Sequence, residues 1–536
     1  MKTKYMAALA AAILAPFAMA QDITTEISVD RTIVPEQRSA ERPALFVPSV
    51  SLPQVELTPL SLHEYLKASE LTTILPVLEP AGYADTIAVS PYRGYAALGY
   101  FPVYNLGASA GYRFISNHNT RLGAWLQFDG NSYKGRDASD GLTFSNNTLN
   151  IGADFNRMFK AGHLAVGAEY MYGRTGIPTE GDGYHRNVSQ VKTDAAWWGR
   201  AFGIAYHAGF EFEHFGFHNY FGEQRYTAEM GAIIGNNGKP GGGIELKGDF
   251  LSCGNGLVTA EPYYTYRNEK FLAHVGLKLD IATGTRPNVM DYSPSRFHVA
   301  PDVTVAWTPS GFFAMEARVT GGSRLNTAAG YYDYCYYMTP QEMLPYSNVP
   351  VDAMLSIAGG PVAGVSLRLF GGYSMADDWL MPSGIKLGTQ APLAVNLFAP
   401  VDLRGWLAGV GVGYRWRDMV EFEATAQMAP RQSDRGYYRW LDRARYVVDA
   451  NVKVTPTDRL DIEAGYEFRG GRTTYVGPQP LSLGNKSSLN LGAAYRVDDR
   501  LSVWLRGENL LGHRYDLLVG LPSQGIKGLA GVSYKF

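Results

Sequence analysis

Apolar and polar residues change places at almost every step along the C-terminal third of the chain. In one stretch Leu460, Ile462, Ala464, Tyr466 and Phe468 alternate with Arg459, Asp461, Glu463, Glu467 and Arg469. That period of two belongs to a β-strand, because a helix would scatter the charges around its circumference. Val420, Phe422, Ala424, Ala426 and Met428 repeat it against Glu421, Glu423, Thr425 and Gln427, and Leu489, Leu491, Ala493, Tyr495 and Val497 against Ser488, Asn490 and Arg496. Strands of soluble sandwiches average about 5 or 6 residues. These segments fit the roughly 9 to 11 residues that a tilted strand needs to cross a bilayer.

Counting such segments from Arg93 to Phe536 predicts about 22 strands, an even number as single-chain bacterial barrels have. The connections fall into two phases. Short turns are predicted near Arg157, Tyr206, Arg267, Thr308, Gly359, Trp416, Thr455 and Val497, whereas long irregular pieces are predicted at 173–191, 284–295, 322–349, 374–401 and 470–484. Short turns on one side and long loops on the other predict an all-β fold, a large transmembrane antiparallel β-barrel with periplasmic turns and extracellular loops. In the last segment Ala530, Val532, Tyr534 and Phe536 share one face, opposite Gly531, Ser533 and Lys535. Phe536 is then expected to end the closing strand in an aromatic belt at the periplasmic interface, with Tyr373, Tyr414, Tyr466, Tyr495 and Tyr534 as further belt candidates.

Composition agrees with strands and turns: 60 glycines, 35 tyrosines and 13% aromatic residues. The formal net charge of -2 gives no reason to expect nucleic acid as a partner. Residues 1–20 read as a secretory signal, with Lys2 and Lys4 before an apolar run and Ala18 and Ala20 at the exit. Residues 21–90 then form an N-terminal arm, with Pro35, Pro43, Pro48, Pro53 and Pro59 favouring extended chain, and 91–536 form the barrel. The arm is expected either to enter the lumen or to lie in the periplasm as a docking strip for another protein.

The stretch from Arg496 to Phe536, with Asn509, Leu510, Leu511 and Tyr515, resembles the last two strands of TonB-dependent receptors. The resemblance implies a large monomeric barrel related to active importers, and an aromatic terminal residue read by the outer-membrane insertion machinery, here Tyr534 and Phe536. Residues 21–90 are too short for the folded plug of that family, so a barrel lacking the plug is expected. Thr24 to Val29 is only faintly similar to the contact box through which such receptors are energised.

No catalytic, metal or cofactor site is expected. His214 and His218 stand about 13 Å apart on an extended strand, and Ser109 within Gly107–Gly111 has no following helix to make a nucleophile elbow. The alternation assigns Glu421, Glu423, Arg445, Asp449, Lys453, Asp461, Glu463, Glu467, Arg469, Arg496, Arg506 and Glu508 to the lumen wall. Both signs are mixed there, which points to a hydrated wall without strong ion selectivity. Tyr331, Tyr332, Tyr334, Tyr336 and Tyr337 are candidate outer-loop contacts, for stacking on a ligand or for packing within the loop. Cys253 and Cys335, both in outer loops, can pair as a disulfide or stay free.

Expected partners are outer-membrane lipids and lipopolysaccharide, the insertion machinery during assembly, and envelope proteins through the arm. Three functions stay open: a pore or partner-gated channel for small polar solutes, a non-transporting subunit of an assembly or export complex, and a TonB-coupled receptor with an atypical N-terminus.

Overall fold

The computed structural model describes residues 92–536, apart from 103, 118, 135–142, 178–183, 219–220, 236–239, 285–296, 335–345, 387–393, 418, 430, 434–443, 477–478 and 519–520. The expected signal segment, the arm and Thr24 to Val29 lie outside the described residues.

Twenty-two antiparallel strands form one closed barrel, each hydrogen-bonded to its neighbours in sequence. The first, Gly94–Phe101, pairs with the last, Lys527–Lys535, from Tyr95 opposite Lys535 to Tyr100 opposite Ala530. Closure leaves no open edge, which lipid would not tolerate because hydrocarbon cannot satisfy bare backbone amides. The short strand Arg431–Ser433 continues Val420–Met428 along the same neighbour, and two small hairpins, Thr473–Val476 with Gln479–Ser482 and Asp516–Leu518 with Leu521–Pro522, sit in connecting loops.

The two faces of the wall differ as the alternation requires. Leu98, Leu491, Leu505 and Val532 project outward and are exposed, Leu98 at 54% and Leu505 at 57%. Exposure of so many large apolar side chains would be unstable in water and is what a lipid-facing surface needs. The outer face carries the aromatic residues too: Tyr373, Tyr414, Tyr495, Tyr534 and Phe536 are exposed, while Tyr466 is half-buried with its hydroxyl 3.2 Å from Ser487 Oγ.

At the seam the Phe536 ring lies over Gly94, beside Tyr112 at 6.2 Å and Tyr534 at 6.3 Å between ring centres. Its carbonyl accepts the amides of Arg93 and Gly94, both at 2.8 Å. The terminal aromatic residue is thus built into the closure and occupies space that only a glycine at 94 leaves open.

Some connections differ from the sequence reading. The turn expected near Tyr206 falls at Phe202–Gly203, where both residues take positive φ (51° and 80°), and Tyr206 sits inside strand Ile204–Phe217. The turn expected near Gly359 falls at Ala363–Gly364. Most of 173–191 and 374–401 is paired strand rather than loop, since Gly162–Ile177 is followed by Tyr184–Ala201 and Val365–Lys386 by Ala394–Trp416. These strands run 22 and 23 residues in the second pair. Beyond the lipid both faces of a strand are wet, so the alternation fades although the backbone pairing continues.

Candidate functional site

The barrel mouth at the loop end is the place where distant parts of the chain converge. The connection after strand Phe313–Leu325 folds into a short helix, Ala328–Tyr334. Thr327 starts it locally, its Oγ1 accepting the Gly330 amide at 3.1 Å, as an N-cap does. Glu223 Oε1 accepts the Ala328 amide at 2.9 Å from another strand. Ala328, Ala329, Tyr331 and Tyr332 are buried against Phe144, Met171, Val188, Phe215 and Phe217. The Tyr332 ring centre is 5.4 Å from Phe215 and 6.1 Å from Phe217.

The helix leaves the thirteenth strand of the wall and lands on the fourth to eighth. A connection that reaches so far around the circumference must cross the mouth rather than stand above its own strands. Phe144, Val188, Phe215 and Phe217 share the face of Asn146, Gln190, Glu213 and Glu211, opposite the exposed, lipid-facing Phe210 and Tyr172. The cluster is therefore a dry layer inside the barrel.

Two other segments join it. Leu380 is buried in the cluster and Leu517 packs against it. Arg472 donates to the carbonyls of Asp516 at 2.8 Å and Leu517 at 2.9 Å, and the Tyr133 hydroxyl donates to the Pro522 carbonyl at 3.0 Å. Below the helix, Tyr331 Oη donates to Asn326 Oδ1 at 2.9 Å, and Asn326 Nδ2 to Ser347 Oγ of strand Tyr346–Val362 at 3.2 Å, so these buried polar groups are partnered by the loop and the strand that follows it.

The wall beneath is polar and paired. Asp449 and Glu467 are register partners, as are Lys453 and Glu463, which places these side chains on the face opposite exposed Ile462 and Tyr446. Arg469 Nη1 contacts Asp449 at 2.7 Å, Lys486 Nζ contacts Glu467 at 2.6 Å and Lys453 Nζ contacts Glu463 at 3.5 Å. Glu421 pairs with Arg415, and Glu423 lies opposite Asn451 on the same face. Asp461 Oδ1 accepts the Thr455 hydroxyl at 3.1 Å. Glu508 holds Arg506 at 3.0 Å and Lys527 at 3.3 Å. Arg445 sits at the loop-end rim, its amide bonded to the Gly470 carbonyl, and Arg496 at the turn end, bonded to Arg459.

The earlier strands carry equally charged wall that the sequence reading did not single out. Arg225 lies among Glu211, Glu213 and Asp249, at 3.9, 3.7 and 3.0 Å, and Asp249 also meets Lys247 at 3.7 Å. Glu213 further accepts from Gln190, and Asp249 from Thr227. The alternation of Phe210, Phe212 and His214 with Glu211 and Glu213 was the available signal. Trp504 was missed too: it turns inward and lies over Gly99 and Gly531, where a Cβ would collide with its ring.

Of the remaining candidates, Tyr334 ends the helix, while Tyr336, Tyr337 and Cys335 lie outside the described residues. Cys253 is an exposed thiol in the outer turn after strand Gly241–Leu251, with Asn255 Nδ2 3.3 Å from its sulfur. Ser109 is buried in mid-strand opposite Ala97.

No protein-family model matches this chain, and no curated protein matches it in sequence. Solved structures do match in fold. The ferric enterobactin receptor PfeA of Pseudomonas aeruginosa superimposes with a TM-score of 0.58 at 11% identity, covering 83% of this chain and 80% of that one. The FrpB iron transporter of Neisseria meningitidis gives 0.63 at 11% identity over 83% and 81%. The copper transporter OprC gives 0.60 at 11% identity over 83% and 82%. The chain has the barrel fold of TonB-dependent receptors.

Proposed function

We propose that this chain is a Gram-negative outer-membrane channel for small polar solutes, gated at its outer mouth by its own inward-folded loop. The observation that carries the reading is the contrast within one lumen. The wall is charged and locally neutralised, whereas the mouth is a buried aromatic layer tethered by Glu223. A neutral wall suits small polar molecules of either sign better than one ion. The fold shared with receptors and transporters supports passage of a solute rather than catalysis. The Pro-rich arm is the element through which an envelope partner would act on the gate.

Reconstitution in planar bilayers tests this. Wild-type protein is expected to open rarely, and Tyr332→Ala to open often, because emptying a buried aromatic site costs about 3 to 5 kcal/mol. Resistance of the barrel to unfolding in cold detergent, read on a gel, confirms that both are folded. If both folded proteins are silent, the channel reading fails and the subunit reading replaces it; if both conduct alike, the loop is not the gate.

A further inference from the structure

On the lumen wall below the mouth, six consecutive strands bring carboxylates and imidazoles into one row. Across Ile204–Phe217, Phe221–Ile234, Gly241–Leu251 and Gly256–Arg267 the register runs His207 to Gly231, Gly231 to Glu245, and Glu245 to Glu261. Gly231 has no side chain, so His207 Nε2 reaches across it to Glu245 Oε2 at 3.1 Å. The Tyr263 hydroxyl stands 3.4 Å from Glu245 Oε1, and its ring packs 5.0 Å from that of His274. On the next two strands His274 Nε2 lies 3.5 Å from Glu261 Oε1, and Asp302 holds Lys278 Nζ at 2.7 Å.

One ligand atom each from Glu261, His274 and Asp302 falls within 4.8 Å of the other two. All three side chains are partly buried, at 12%, 28% and 19% exposure, on strands whose backbone is fixed by pairing on both sides. A tetrahedral ion with ligands at about 2.0 to 2.2 Å needs its donors roughly 3.4 Å apart. The Glu261–His274 edge already has that length, and a side-chain shift brings Asp302 to it.

Charge points the same way. The ion-pair contacts of Glu245, Glu261 and Asp302 are two imidazoles and one ammonium, so three carboxylates face one permanent cation. Register partners of like charge such as Glu245 and Glu261 destabilise a sheet unless something positive lies between or beside them.

We propose that Glu261, His274 and Asp302 form a binding site on the lumen wall for a borderline first-row dication of the zinc class, with Lys278 as its built-in competitor. Two carboxylates and one neutral imidazole supply three ligands and leave the fourth position to water. A bound ion takes Asp302 from Lys278 and ties strands Gly256–Arg267, Phe271–Thr283 and Phe297–Ser310 together through their side chains. The ammonium of Lys278 and the ion compete for one carboxylate, so occupancy is coupled to where Lys278 points.

Calorimetric titration of untagged, chelator-stripped, detergent-purified full chain with zinc chloride tests the site. The expected result is one dication per chain, with affinity falling at least tenfold in His274→Ala and in Asp302→Asn. Lys278→Met is expected to strengthen binding by about tenfold, because it removes the competitor and not a ligand. A purely structural ion-pair network predicts the opposite order for that variant. Heat-induced unfolding on gels shows that each variant is folded. Equal isotherms for wild type and the His274→Ala/Asp302→Asn double variant would overturn the site; weaker binding by Lys278→Met would overturn the role given to the lysine. Neither readout depends on conductance, so the channel reading can fail while this one stands.

Discussion

Glu223 and Ala328, 105 positions apart in the chain, meet at 2.9 Å where a carboxylate oxygen receives the first amide of the mouth helix. A hydrogen bond between an uncharged donor and acceptor contributes about 0.5 to 1.5 kcal/mol net, and removing the acceptor leaves a buried amide without a partner, which costs about 1 to 3 kcal/mol. Glu223→Ala is therefore expected to free the helix, making residues 326–334 a site of rapid limited proteolysis while the barrel keeps its melting temperature. Glu223→Gln retains an acceptor oxygen and is expected to fall between the two. Unchanged cleavage in Glu223→Ala would show that the aromatic packing alone holds the helix.

The seam gives a second prediction. The Phe536 ring lies in the space over Gly94, so Phe536→Ala and Gly94→Val should damage the same contact from opposite sides. Both are expected to lower the yield of folded barrel on reconstitution into lipid vesicles, and the double variant should be no worse than Gly94→Val alone. Strictly additive losses would mean that the two residues act separately.

Trp504 provides a spectroscopic test. Its ring covers Gly99 and Gly531 on the inner wall. Gly99→Val is expected to displace the ring, shift its fluorescence to longer wavelength and lower stability by about 1 to 3 kcal/mol, the range for overpacking. Unfolding monitored by intrinsic fluorescence reads both.

Wall charge should be adjustable one unit at a time. Glu508 neutralises part of the Arg506 and Lys527 pair of cations, so Glu508→Gln leaves one more uncompensated positive charge on the lumen. The reversal potential of open Tyr332→Ala channels under a salt gradient is expected to move toward anion selectivity, and less so in high salt where screening is stronger. No movement would place Glu508 away from the conducting path.

The turn 497–500 carries a pH-dependent element outside the lipid-spanning segments. Asp498 Oδ1 accepts the amides of Leu501 at 2.8 Å and Arg500 at 2.7 Å. Bonds from the Leu501 amide first, then from Arg500, hold its carboxyl below the usual range. A depressed carboxyl stabilises the folded turn above its unfolded value, and that contribution disappears as pH falls through the folded one. Hydrogen exchange at Arg500 and Leu501 is thus expected to accelerate in Asp498→Ala at neutral pH, and wild type and variant should converge once the pH has fallen through the depressed folded value. A difference that persists there would exclude the carboxylate as its cause.

Much of the barrel was legible because each residue of a spanning strand meets lipid or water directly, and its polarity records which. Ile462 and Glu463 are neighbours with opposite environments, and the alternation names both. The turn at Phe202–Gly203 was less legible, since its two positive-φ residues carry no Asn-Gly type signal and Gly209 nearby offered an equal one. The extended pairing of Val365–Lys386 was hidden because above the lipid neither face must be apolar. The donor row from His207 to Asp302 contains no close sequence spacing at all, only register across strands.

The sequence by itself determined the strand period, the strand count, the lipid-facing side and the aromatic end of the closing strand, since these depend on each residue and its immediate neighbours. Only the tertiary structure decided that the Tyr-rich loop turns inward, that Glu223 receives it, and that Glu261, His274 and Asp302 share a place on the wall. Those relations join residues tens to more than a hundred positions apart, and the pairing of neighbouring strands together with the fold of the loop back across the mouth brings them within bonding distance.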